Sequence, residues 1–80
     1  MYYTFILKSL KDGRYYYGHT ENLEKRLLVH NAGKVRATRF RRPLLLQYCE
    51  EFKSRSQAAQ REYFFKSIDG YIFLKESRII

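Results

Sequence analysis

Apolar residues dominate the chain from Tyr2 to Leu10, with Thr4, Lys8 and Ser9 interspersed. This aromatic and aliphatic run reads as a β-strand. Lys11-Asp12-Gly13 follows, and Asp-Gly is a strong hairpin signal. Arg14 to Gly18 then reads as a returning strand, closed by a sharp turn at Gly18. Beyond it, Thr20 or Asn22 can cap a helix, with Glu21 and Glu24 favouring its N-terminal end. Glu21 stands four residues before Lys25, the better orientation for a helical ion pair. Leu23, Leu27 and His30 recur at spacings of four and three, which puts them on one helix face with Arg26 at its edge. Gly33 is a natural stop.

The second half has the same alternation of element types. Leu44 to Phe52 reads as a third strand, and its start, Leu44-Leu45-Leu46, predicts a strand covered on both faces and central in the sheet. Pro43 just before it is compatible with a strand's first position. Ser54 and Gln57 have capping-box spacing, so a helix is predicted over Arg55 to Ser67. Ala58, Glu62 and Phe65 share one face of it, which sets a carboxylate along an apolar stripe. Such a group requires a partner: an arginine, a hydroxyl or a metal ion. Asp69-Gly70 is expected to break that helix, and Tyr71 to Glu76 to form a short last one. Ile79 and Ile80 end the chain as an apolar tail that either packs or meets a partner, a second copy included.

With 80 residues, the chain is expected to form a single domain over 1–80. A chain this short buries only about 60% of its unfolded surface, so its core is small. The formal charge of +8 favours a polyanionic partner, most simply nucleic acid. Lys34, Arg36, Arg39, Arg41 and Arg42 fall in one loop without an acidic residue among them. That loop suits phosphate contacts, and a merely solvated charged loop is the alternative. Cys49 stands alone, so no internal disulfide forms, and the absence of a signal-peptide pattern predicts a cytoplasmic chain. No apolar run suffices to span a membrane. One Cys and two His give too few ligands for a zinc cluster.

Four groups combine chemistry suited to phosphodiester cleavage: Tyr16, Arg26, His30 and Glu62. Cleavage needs a base or oxyanion to activate water, a cation to stabilise phosphoryl charge, and a carboxylate to hold a divalent ion. Each residue taken singly also has a plainer reading: Tyr16 as a core aromatic, Arg26 and His30 as a solvated or capping pair, Glu62 as half of a salt bridge.

The ordered pattern resembles the GIY-YIG nuclease family across nearly the whole chain. Tyr3-Thr4-Phe5 stands at the first motif and Tyr16-Tyr17-Gly18 at the second. Asn22 to Leu27 followed by His30-Asn31 looks like the family's helix. Arg41-Arg42-Pro43, Arg61-Glu62 and Lys66 to Gly70 look like its small stand-alone bacterial branch. The resemblance implies an α+β fold with a three-stranded antiparallel sheet flanked by helices. It implies a DNA endonuclease that uses Mg2+ or Mn2+, with a place in DNA repair or recombination; RNA stays open as a substrate. By the same resemblance Tyr16 attacks or activates water, Arg26 stabilises the pentavalent phosphate, and Glu62 is the metal ligand. His30 assists proton transfer, and His19, after Gly18, lowers the tyrosine's pKa. The first motif normally ends in Tyr, but this chain has Phe5. One positioning hydroxyl is therefore missing, which weakens catalysis by a factor of about 10 to 1,000. A non-catalytic nucleic-acid-binding module of the same fold is the alternative.

Overall fold

Strand β1 (Tyr2–Ser9) runs through the middle of the computed structural model, which describes every residue from Met1 to Ile80. Strands β2 (Tyr15–Thr20) and β3 (Leu44–Phe52) flank it, both antiparallel, in the order β2-β1-β3. Helices α1 (Leu23–Asn31), α2 (Arg55–Phe65) and α3 (Ile68–Glu76) cover the two faces. This is the α+β arrangement expected from the sequence.

β1 is central because Thr4, Phe5, Ile6 and Leu7 are all buried in succession. Its alternating side chains feed two cores. Phe5 and Leu7 join Leu44, with Tyr16, Leu23 and Leu27 packed around them on the α1 side. Ile6 joins Phe65 and Leu74 on the α2–α3 side, with Tyr15, Tyr17 and Tyr48 around them.

The central place predicted for β3 is wrong. It is an edge strand, and Leu45 and Leu46 are 52% and 42% exposed. Just after the leucines the strand carries a bulge. Ile6 pairs with Tyr48 but Leu7 pairs with Leu46, so Gln47 is an extra residue. An extra residue reverses the side-chain alternation. Leu44 therefore faces the α1 core, while Tyr48 beyond the bulge faces the other one. On that second side Glu50 takes two hydrogen bonds from Arg61, at 2.7 and 3.2 Å, and one from the Tyr48 hydroxyl. The Arg61 guanidinium lies about 5 Å from the ring centres of Phe64, Phe65 and Phe73.

The turn predicted at Gly18 is also replaced. β2 continues to Thr20, and Gly18 pairs with Phe5 in mid-strand. A Cβ at Gly18 would lie 2.5 Å from Phe5 Cζ, so the glycine is there to let the Phe5 ring lie over the backbone.

Asn22, not Thr20, caps α1, its side chain accepting from Lys25 N–H at 3.1 Å. Glu21 lies outside the helix and pairs loosely with Arg55 at 3.6 Å instead of with Lys25. The capping box of α2 forms as expected between Ser54 and Gln57. Asp69-Gly70 does not break that helix. α2 stops at Phe65, Ser67 caps α3, and Asp69 and Gly70 sit in the first turn of α3. A Cβ at Gly70 would meet the Phe64 carbonyl oxygen at 1.8 Å, so only glycine allows α3 to start this close to the end of α2. Ile79 and Ile80 pack on the Ile6–Phe65–Leu74 core, and the Ile79 carbonyl accepts from Gln47 Nε2 at 2.8 Å. The C-terminus is thus docked on its own chain, not a free apolar tail.

Candidate functional site

Tyr16 projects from β2 to the α1 side, opposite Leu7. Its ring lies 4.9 Å from the His30 imidazole and 6.4 Å from Phe5, centre to centre. His30 closes the triangle edge-on to Phe5 at 6.1 Å. His30 itself has no exposed surface. Its Nδ1 is 2.8 Å from the hydroxyl of Thr38, which is equally buried, and its Nε2 has no partner. Burial, aided by the Arg26 charge, pulls His30 from 6.5 down to about 4, so the imidazole is neutral at pH 7. A neutral, sealed ring behind Tyr16 orients the tyrosine and touches no solvent.

Tyr16 and Arg26, both on this side, have no side-chain partner within the protein. Tyr16 is half-buried, and its hydroxyl makes no hydrogen bond yet is not sealed from solvent. Arg26, also half-buried, makes no ion pair or hydrogen bond. It stands between an apolar hollow lined by Phe5, Leu7, Leu23 and Leu27 and a polar groove lined by Thr20, Asn22 and Lys25. A guanidinium held there without a counter-ion is ready for an anion.

Glu62 belongs to the opposite side of the sheet. Its Oε1 is 2.7 Å from His19 Nδ1 and its Oε2 accepts from Lys66 Nζ at 2.6 Å. Burial works against ionisation, but the hydrogen bonds and charges of Lys66 and His19 outweigh it and hold the carboxyl below its usual range. His19 therefore does not act on Tyr16. Strand alternation points it to α2, where it orients Glu62. In the sequence Lys66 reads only as part of a family motif and not as a partner of Glu62, although its place four residues after Glu62 on a helix is a readable signal.

Tyr16, with Arg26 on α1, and Glu62 thus approach β2 from its two faces. β2 is an edge strand, so no further strand separates them at that rim. No group of three or more acidic, His or Cys side chains gathers anywhere. That donor set still fits Mg2+ or Mn2+, because such ions are commonly held by one or two carboxylates, with water and substrate phosphate completing the shell.

The basic loop is more structured than its composition suggests. Turn bonds run from Thr38 and Arg39 N–H to the Val35 carbonyl, and from Arg41 N–H to that of Thr38. Lys34, Arg36 and Arg39 are exposed, and their side chains bond to nothing in the protein. Arg41 is committed to the fold, with Nε 2.9 Å from Asp12 Oδ2 and Nη2 3.5 Å from the Tyr15 carbonyl. Arg42 donates to the Arg39 carbonyl at 2.8 Å while remaining exposed. Four of the five expected phosphate-binding cations therefore face solvent.

No helix is long and apolar enough to cross a membrane. Comparison with known proteins now bears on this arrangement. The chain is 46% identical over 65 residues to a UPF0213 protein of Bacillus licheniformis, covering 80% of this chain and 67% of that one. It is also 46% identical over 75 residues to a UPF0213 protein of Staphylococcus haemolyticus, covering 92% and 90%. The solution NMR structure of a UPF0213 protein from Bacillus halodurans superposes with a TM-score of 0.54 at 34% identity, covering 95% of this chain and 84% of that one. The sequence profile of the GIY-YIG catalytic domain matches residues 1–69, a span that includes Tyr16, Arg26, His30 and Glu62. By that match and these relatives, the chain belongs to the GIY-YIG catalytic domain family, a nuclease family.

Proposed function

We propose that this chain is a divalent-metal-dependent endonuclease that hydrolyses DNA phosphodiester bonds, acting in the cytoplasm in DNA repair or recombination. The observation that carries the reading is the pair of unpartnered polar groups, the Tyr16 hydroxyl and the Arg26 guanidinium, presented beside an edge strand. Both are open to solvent, where a ligand can reach them, and a guanidinium with no internal partner suits an anionic one.

As the phenolate, with its own proton lost to solvent, Tyr16 takes one proton from the attacking water as the water oxygen bonds to phosphorus and the bond to the leaving oxygen breaks. Arg26 balances the charge that builds on the phosphoryl oxygens. His30 keeps the Tyr16 ring in place from behind and reaches the reaction only through it. Glu62, steadied by His19, is the ligand for one Mg2+ or Mn2+. When bound, that ion supplies charge neutralisation at the leaving oxygen. Lys66 occupies one Glu62 oxygen and would have to yield it to the ion. Lys34, Arg36, Arg39 and Arg42 grip the backbone on either side.

A second reading is favoured by Phe5. Its ring, 1% exposed, fills the place where the family's first motif carries a hydroxyl. A non-catalytic nucleic-acid-binding module would keep the basic surface without the chemistry. Incubation of labelled DNA and RNA with Mg2+, Mn2+ or EDTA separates the two. Metal-dependent product supports the nuclease. Salt-sensitive binding with no product under any condition supports the binding module.

A further inference from the structure

Phe40 is the one phenylalanine fully in the solvent, at 72% exposure. Its position is fixed on both sides. Thr38, two residues before, is buried against His30. Arg41, the residue after, is tied through its carbonyl to Ser9 Oγ at 2.6 Å and through its guanidinium to Asp12. The Arg42 guanidinium also bonds back to the Arg39 carbonyl. A loop fastened this way holds the Phe40 ring outward as a built feature, 72% exposed. Arg39 lies over the ring with its guanidinium carbon 4.8 Å from the centre. Lys34, Arg36 and Arg42 belong to the same loop, which has no acidic residue between 34 and 42.

An exposed aromatic ring framed by unpaired cations has the chemistry of a stacking platform for single-stranded nucleic acid: the ring takes a base and the cations take the flanking phosphates. In continuous duplex the base faces are stacked on each other and cannot meet a protein ring. We infer that Phe40 stacks on an unpaired nucleobase, so that this chain selects single-stranded, flapped or gapped nucleic acid over continuous duplex. The platform is close to the candidate site. Thr38 bonds His30, His30 supports Tyr16, and two residues of chain put Phe40 within roughly 7 Å of Thr38, Cα to Cα. A base seated on Phe40 would set the adjoining strand towards the Tyr16 rim. This inference rests on the nucleic-acid reading above, but not on catalysis.

The test is equilibrium binding in EDTA, where no cleavage is required, of labelled single-stranded, flapped and blunt duplex DNA. Wild type, Phe40→Ala and Phe40→Trp would be compared, with circular dichroism melts to show that the folds match. Phe40→Ala should weaken single-strand and flap binding roughly 5- to 100-fold, the range expected for one lost base stack. Duplex binding should change less than about 2-fold, and Phe40→Trp should bind single strands as well as wild type does. Equal losses on duplex and single strand, or no loss, would overturn the inference while leaving a nucleic-acid-binding protein. No binding to any of the three in wild type would overturn both this inference and the reading on which it rests.

Discussion

Tyr16 rests its ring on the buried His30 imidazole, the centres 4.9 Å apart and the planes at 59°. The contact ties a surface hydroxyl to the interior, because His30 is in turn anchored to Thr38. Groups facing His30 are Phe5 from β1, Tyr16 from β2, Arg26 from its own helix and Thr38 from the basic loop, none of them acidic.

Protonating His30 therefore opposes folding. Its folded pKa, about 4, lies below the unfolded value of 6.5, so the unfolded chain binds the extra proton between those limits. Stability is full above about 6.5 and is lost as pH falls towards about 4, with a slope of at most about 1.4 kcal/mol per pH unit from this residue. Urea unfolding at several pH values should show that slope in wild type and a flatter curve in His30→Phe. Parallel curves would mean that His30 is not the group responsible.

Lys66 holds a Glu62 oxygen that a bound ion would need. Its side chain is 53% exposed, so the pair contributes little and should be displaced easily. Lys66→Met should tighten Mn2+ binding, measured by calorimetric titration, roughly 2- to 5-fold. Unchanged or weaker binding would show that Lys66 is not a competitor for the ion.

Phe5→Tyr restores the hydroxyl of the family's first motif. The Phe5 ring carbon Cζ, which would carry the added oxygen, lies against Gly18, the residue that follows Tyr16-Tyr17 on β2. Single-turnover cleavage should rise about 10-fold or more. Thermal melts should show a loss of no more than about 2 kcal/mol for the buried hydroxyl. A variant that folds but cleaves no faster would show that this hydroxyl is not what limits the rate.

Arg61 supports the fold away from that chemistry. It bonds Glu50 twice and lies against three rings. Burial pushes the Glu50 carboxyl up, but hydrogen bonds from Arg61 and Tyr48 prevail and hold it below its usual range, while Glu50 pushes Tyr48 up to about 12. Arg61→Met should cost about 2 kcal/mol in urea unfolding and leave the cleavage rate of the folded fraction unchanged. A loss below about 0.5 kcal/mol would contradict this role.

Much of this arrangement was legible along the chain, and the misses share physical causes. The strand and helix types followed from apolar spacing, and the α2 capping box from Ser54 and Gln57. Leu44-Leu45-Leu46 misled because β3 lies at the edge of the sheet, a place its own residues do not disclose, and two of the three leucines are exposed there. The run with both faces covered was Phe5-Ile6-Leu7. Gly18 and Gly70 both read as breaks, but each is required by a close approach from a distant or preceding element. The His19–Glu62 contact joins residues 43 positions apart, which no local pattern reveals. Lys66 was within reach of the helical spacing rule.

In the proposed reaction Tyr16 and Glu62 act on one phosphodiester from the two faces of β2. Because the Tyr16 hydroxyl bonds nothing inside the protein, Tyr16→Phe should leave stability unchanged. The direct measurement is cleavage of end-labelled flapped DNA in Mg2+, Mn2+ or EDTA by wild type, Tyr16→Phe and Glu62→Gln. Wild type should give metal-dependent product and none in EDTA, and both variants should cleave at least about 100-fold more slowly, with the melting temperature of Tyr16→Phe unchanged. Wild-type rates in either variant, or product that persists in EDTA, would contradict that reaction.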